Sequence, residues 1–220
     1  MKTIGILLFE GVEELDAVGP YEVLAAWTRI RPDDGWRTIT AGVAGGGPVR
    51  GAKGLVMTPD VSLDAAGHID LLLYPGGQGT VRLMADERHL EWLRRQAAVD
   101  QLTTSVCTGS LVLASAGLLR GRAATTHWSS LETLAAIDPT IDVRPDERYV
   151  DDGDIVTSSG VSAGIDMALH LVARLAGDER AREVRRYIQY DPAPPVQPDR
   201  SLHRRSHPTV ASAGSADRRP

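Results

Sequence analysis

The chain alternates between short, nearly unbroken apolar runs and longer stretches where apolar side chains return every three or four positions. Residues 3–9 and 69–74 are of the first kind, and 102–106, Leu-Thr-Thr-Ser-Val, reads as a further strand of mostly small residues. A run that is apolar at successive positions has both faces covered, as in a central parallel strand. The second kind includes Tyr21, Val23, Leu24 and Trp27, then Leu90, Leu93 and Ala97, with Arg94 at the same helical spacing, within 87–98. It also includes Ile165, Met167, Ala168, Leu171, Val172 and Leu175 within 162–176. These spacings predict helices. Further helices are expected over 109–119, 129–136 and 179–190, and further strands over 36–43, 54–58, 123–128 and 141–143. The strand at 54–58 reads as an edge piece. Residues 148–150 and 154–157 flank Asp151-Asp152-Gly153 and predict a hairpin. Pro20 is expected in the first turn of the first helix, where its missing N–H costs nothing.

Strands alternating with helices predict one α/β domain over 1–196. After Asp191 the pattern stops at Pro192-Ala193-Pro194-Pro195. From Pro198 onward five Arg stand against two Asp, and 197–220 reads as a disordered tail.

Composition narrows the class. Of 220 residues, 42% are hydrophobic and 24% charged, which is ordinary for a globular protein. Aromatics are 5%, with a single Phe, so the core is aliphatic. A net charge of −5 gives no reason to expect a nucleic-acid partner. No stretch reaches the ~18 apolar residues of a membrane helix. The N-terminal apolar run is too short for a signal segment. One cysteine cannot form an internal disulfide, and the chain reads as cytoplasmic.

That cysteine draws the eye to Thr103-Thr104-Ser105-Val106-Cys107-Thr108-Gly109-Ser110, a strand running into a tight turn with a helix behind it. Such a turn lifts a side chain out of the sheet edge and aims helix N–H groups at whatever binds there. A lone cysteine is commonly a small buried hydrophobe. Here the following helix is expected to lower its pKa and make Cys107 a nucleophilic thiolate. Asp16 follows the first strand and reads either as a helix-cap residue or as an acid/base partner reaching the same edge. Glu13 and Glu14 compete with it from earlier in the loop. Pro75-Gly76-Gly77-Gln78-Gly79 ends a buried strand, and the bare N–H groups of Gly76 and Gly77 could form an oxyanion-type pocket. His127 reads as a base for Cys107 or as pocket lining beside Trp128. Neither nucleotide-binding glycine pattern is present. The other histidines show no metal-ligand spacing, so neither a cofactor nor a metal is called for.

These blocks together resemble the ThiJ/PfpI superfamily, which is related to class I glutamine amidotransferases. Ser105–Ala114, Ala116-Gly117-Leu118-Leu119 and Ala124-Thr125-Thr126-His127-Trp128 carry most of the likeness. Leu8-Phe9, Leu15-Asp16 with Gly19-Pro20, Pro75-Gly76-Gly77, Ala163–Asp166 and Tyr190–Pro195 extend it in order. The resemblance implies a flavodoxin-like three-layer sandwich with a mostly parallel sheet, a cysteine nucleophile elbow and a homodimer. Aspartate at position 16, Cys-Thr-Gly-Ser at the elbow and Pro-Ala-Pro-Pro at the end are most similar to the isonitrile hydratase subgroup. That implies a lyase acting on a small electrophile without a cofactor. Cys107 would be the nucleophile, Asp16 the acid/base and Thr108 an orienting neighbour, with Gly76, Gly77 and His127 lining the substrate site. Relatives with the same cysteine act on 2-oxoaldehydes or serve as sensors. The regulators of this group carry a helix-turn-helix pair after the domain, and no such pair follows here. Protease activity would need His127 beside Cys107.

Overall fold

In a computed structural model of the protein, which describes residues 1–98 and 102–194, the apolar runs form the middle of a seven-stranded sheet. In chain order the strands are β1 (Lys2–Leu8), β2 (Trp36–Gly42), β3 (Val49–Arg50), β4 (Val56–Met57), β5 (Val61–Ser62) and β6 (Leu71–Tyr74). They continue with β7 (Leu102–Val106), β8 (Ala123–Ala124), β9 (Asp142–Val143), β10 (Tyr149–Asp151) and β11 (Ile155–Ser158). The main sheet has the order β10-β11-β7-β6-β1-β2-β5. Every pair in it is parallel except β10 with β11, the predicted hairpin. Ile4, Ile6 and Leu7 on β1 and Leu71, Leu72 and Leu73 on β6 are wholly buried. Burial of successive residues means that both faces of these strands are covered.

The helices are α1 (Glu14–Ile30), α2 (Thr80–Leu83), α3 (Glu87–Ala97), α4 (Gly109–Ser115), α5 (Leu131–Ile137), α6 (Ala163–Ala176) and α7 (Asp178–Tyr187). One group packs α1 with α6 and α7; another packs α4 with α2, α3 and α5. This is the flavodoxin-like arrangement. From β1 the chain moves outward to β2, whereas β6 lies on the other side of β1. Strand order therefore reverses between β1 and β6, and open α/β sheets bind ligands at the carboxyl edge of such a reversal.

Two glycines bring α1 onto that edge. A Cβ on Gly164 would stand 3.0 Å from the Pro20 ring and 3.1 Å from Val106. One on Gly19 would stand 3.0 Å from Ile165. The close crossing of α1 and α6 thus sets the start of α1 beside the end of β7.

Several expectations change in detail. Helix α1 begins at Glu14, so Pro20 lies inside it rather than in its first turn, and the Asp16 carbonyl loses its i+4 backbone donor. The strand expected at 54–58 is only Val56–Met57, paired with β3 outside the main sheet; the edge of the sheet is β5 instead. The strand expected over 123–128 shrinks to β8, which pairs with β9 in a separate ribbon. Helix α4 stops at Ser115, short of 119. Contacts divide the chain into Met1–Tyr190 and Asp191–Pro220; the tail expected at 197–220 lies outside the described residues. Among those residues no helix is long and apolar enough to cross a membrane.

Candidate active site

Cys107 sits where β7 turns into α4, with φ at 57°. For a non-glycine residue this left-handed conformation costs about 1–2 kcal/mol. Three side chains or strands hold it there. Its N–H donates to the Ser158 carbonyl at 3.1 Å. Its own carbonyl accepts from the hydroxyls of Ser110 at 3.1 Å and Thr126 at 2.9 Å. Gly109 allows the turn to lie on the end of β6, since a Cβ there would stand 2.3 Å from the Tyr74 carbonyl. The backbone N–H groups of Thr108 and Val161 reach the sulfur. Val161 is a second non-glycine residue at positive φ, 26°.

Asp16, fully buried in the first turn of α1, faces this sulfur. Its Oδ2 accepts the Gly76 N–H at 2.9 Å. Its Oδ1 is shut from solvent and meets no donor of regular geometry. The Cys107 thiol is the group that couples to it, and each shifts the other's titration. Burial pushes the Asp16 carboxyl up to about 7, against the opposing pull of the Gly76 N–H. Burial and then the Asp16 charge push the Cys107 thiol up to about 12. The two behave as one buried pair losing protons in successive steps. At neutral pH the thiol therefore keeps its proton while Asp16 is poised to exchange one.

That corrects the expected resting thiolate. The N–H groups of Thr108 and Val161 do favour the anion. They are outweighed because Cys107 is only 7% exposed and faces a carboxylate.

The glycine turn positions this pair. The Gly76 N–H is taken by Asp16, and the Gly77 N–H donates to Thr108 Oγ1 at 2.9 Å. Neither is free to hold an oxyanion, contrary to the expectation for Gly76 and Gly77. Their part is steric and orienting: a Cβ on Gly76 would stand 2.6 Å from Thr108 and 2.8 Å from Asp16 Oδ2. Thr108, placed next to Cys107 as expected, ties the elbow to this turn, and Thr80 adds a hydroxyl contact at 3.3 Å.

A cleft of about 700 Å³ opens over Cys107, bounded by Glu13, Lys53, Met84, Leu111, His127 and Val161, among others. Glu13 and the Lys53 ammonium form an ion pair at its rim. His127 lines the cleft but makes no hydrogen bond to Cys107 among the described residues. Its Nδ1 lies 2.8 Å from the Ser129 hydroxyl, with the Ser129 N–H at 3.4 Å. Burial holds its pKa below the usual value. No group of three or more His, Cys, Asp or Glu among the described residues could hold a metal. Val161 and the hydroxyls of Ser110 and Thr126 were not anticipated. Ser110 could have been read from Cys-Thr-Gly-Ser, but Val161 contributes a backbone N–H, which no side-chain pattern marks.

The family model described as DJ-1/PfpI matches residues 2–174. The chain belongs to that family. It is 42% identical over 193 residues to isonitrile hydratase from Pseudomonas putida, covering 87% of this chain and 80% of that one. It is 30% identical over 190 residues to the HTH-type transcriptional regulator GbdR from Pseudomonas aeruginosa, covering 86% of this chain but 51% of the regulator. The crystal structure of a ThiJ/PfpI family protein from Pseudomonas syringae superposes with a TM-score of 0.79 at 31% identity, covering 89% of this chain and 77% of that one.

Proposed function

We propose that this family member hydrates isonitriles to N-substituted formamides. The observation that carries the reading is the buried Asp16–Cys107 pair at the base of a cleft. Cys107 supplies a sulfur nucleophile, and Asp16 exchanges a proton near neutral pH. The 42% identity to the Pseudomonas hydratase supports the same choice of substrate.

The steps balance with these residues alone. The Cys107 proton passes through Asp16 to the terminal carbon of R–N≡C as the sulfur bonds to that carbon, giving the thioimidate R–N=CH–S. Asp16, ionised again, takes a proton from water. The hydroxyl adds to the carbon and Asp16 returns the proton to nitrogen. The C–S bond then breaks, the hydroxyl proton passes through Asp16 to the departing sulfur, and R–NH–CHO leaves. The Thr108 and Val161 N–H groups stabilise the sulfur as it gains charge on attack and on departure. Water is consumed and no redox change occurs.

Exposed apolar side chains at Leu15, Val18 and Tyr21 on α1 and at Leu55 and Val56 near β4 support a homodimer as the working form. To test the reaction, the purified protein is incubated with cyclohexyl isocyanide and, separately, with methylglyoxal, and products are followed by NMR. Formamide production that disappears in Cys107→Ala supports the hydratase. Turnover of methylglyoxal alone would replace it with a glyoxalase-like activity. Loss of neither reagent would leave a non-enzymatic ligand or redox sensor of the same fold.

A further inference from the structure

The rim of the cleft holds one feature that the proton chemistry does not use. Lys53 sits in the turn between β3 and β4, and its backbone is fixed: its N–H donates to Glu14 Oε1 at 2.6 Å, and the Ala52 N–H to the Val12 carbonyl at 2.8 Å. Glu13 is fixed as well, through its N–H to the Gly76 carbonyl at 2.9 Å. Between these anchored backbones the two side chains meet in an ion pair. The Glu13 side chain is 15% exposed and that of Lys53 is 70% exposed. His127 on the opposing loop is held neutral by burial, and the Glu14 carboxylate is turned to the backbone N–H groups of Lys53 and Leu55, outside the lining of the cleft. Behind the rim the lining is largely apolar, with Met84 and the buried Leu111. Each rim charge is thus neutralised by the other, and nothing deeper offers a counter-ion to an incoming charge except Asp16 itself.

We infer that the Glu13–Lys53 pair is a charge filter at the entrance, and that the cleft takes isonitriles whose R group is uncharged and apolar; the substrate class rests on the hydratase reading above. An anionic R group must compete with Glu13 for the ammonium, and a cationic one must compete with Lys53 for the carboxylate. A neutral group meets neither cost. Removing one partner exposes the charge of the other and should turn the filter into an attractor of the opposite sign.

The filter can be read without any isonitrile, because Cys107 is the only cysteine. Methanethiosulfonates with a neutral methyl, an anionic ethylsulfonate or a cationic ethyltrimethylammonium group all react alike. The sulfur of Cys107 forms a disulfide with the reagent and methanesulfinate leaves. Rates measured by intact-protein mass spectrometry are divided by each reagent's rate with a small neutral thiol. The wild-type protein should prefer the neutral reagent by a few-fold at most, and a shift of roughly five- to tenfold belongs to the variants, in which one charge stands alone. Glu13→Gln should raise the anionic rate, Lys53→Met the cationic rate, and about 0.5 M salt should flatten all three profiles. Unchanged relative rates across the three proteins would overturn the filter. Cyclohexyl isocyanide and carboxylate- or ammonium-bearing isonitriles are then compared by kcat/KM. A filter that appears with the thiosulfonates while no isonitrile is consumed leaves the rim assignment standing and removes the hydratase reading. Turnover of isonitriles with a flat charge profile does the reverse.

Discussion

Two carboxylates two residues apart in the first turn of α1 meet opposite fates. Glu14 has more donors on it: its own N–H, and those of Lys53 at 2.6 Å and Leu55 at 3.4 Å on Oε1, while Oε2 has none. Burial pushes its pKa up, but those N–H groups pull harder and the net shift is downward. Asp16 has one such donor, from Gly76, and complete burial, and its pKa rises to about 7. The ribbon that covers Glu14 supplies N–H groups; the elbow that covers Asp16 supplies a thiol. One carboxylate is thereby an anchor for the rim, and the other a proton exchanger. Neighbouring acids on a single helical turn are sorted by how many donors reach them, not by sequence distance.

The largest test of this contrast is Asp16→Asn, which keeps an acceptor for the Gly76 N–H and removes the titration. Isonitrile turnover should fall by about 10² to 10⁴, the usual contribution of general acid–base catalysis. Stability should move the other way. In the wild type the folded protein keeps a proton on Asp16 that the unfolded chain has already released, between about pH 4 and pH 7. Stability therefore declines as pH rises through that window, by about 4 kcal/mol at most from a shift of this size. Asp16→Asn lacks the decline, so its Tm should draw ahead of the wild type from pH 4 to pH 8. Parallel Tm curves for the two proteins would show that Asp16 ionises as an ordinary carboxylate.

Gly76→Ala sharpens the Asp16 side of the contrast without removing a charge. The added methyl would stand 2.6 Å from the Thr108 N and Oγ1 and 2.8 Å from Asp16 Oδ2. Those are backbone and pinned groups, so the turn itself must move. A loss of about 1–3 kcal/mol of stability is expected, as for other overpacked positions. Turnover should fall with it, and urea unfolding alongside kcat measures both. An active protein of wild-type stability would mean that the glycine turn does not hold Asp16 in place.

Much of this arrangement is legible in the residue order. The middle of the sheet declares itself through the apolar runs ending at Leu8 and Tyr74 and through the small-residue approach to Cys107, and each is followed by a residue or turn of the site. What is not legible depends on three-dimensional context. Strands β3, β4 and β5 are two residues each, too short for any periodicity to register. Val161 acts through a backbone N–H and a positive φ. The raised pKa of Cys107 follows from its depth and from Asp16, which arrives from a distant part of the chain. The neighbouring Thr-Gly-Ser pattern points toward a lowered value because it carries the helix start but not the burial.

Glu14→Gln addresses the anchor. Its shift is opposite in sign to that of Asp16: the ionised form is favoured in the fold, so the associated stability is present above the unfolded pKa and is lost as pH falls through the lowered folded value. Replacing it should destabilise the protein by about 1 kcal/mol at pH 7, because a neutral amide is a weaker acceptor for the Lys53 and Leu55 N–H groups. The effect should disappear in acid. Amide hydrogen exchange at Lys53 and Leu55 should accelerate. Unchanged exchange there would separate the rim ribbon from Glu14.

The smallest effect is expected at His127, although it stands in the cleft with the reacting pair. A base must present a lone pair to the thiol. Nδ1 is engaged by the Ser129 hydroxyl at 2.8 Å, and neither ring nitrogen bonds to Cys107 among the described residues. The ring packs against Gly160, where an added Cβ would stand 2.9 Å from its Cδ2. His127→Gln should therefore lower kcat/KM less than tenfold, mainly through KM, and leave the pH dependence set by the Asp16–Cys107 pair in place. A hundredfold loss in kcat together with a missing limb of the pH profile would instead make His127 the base and Asp16 its orienting partner. Those readouts differ because shaping a pocket changes how substrate is held, whereas moving a proton changes which ionisation the rate reports.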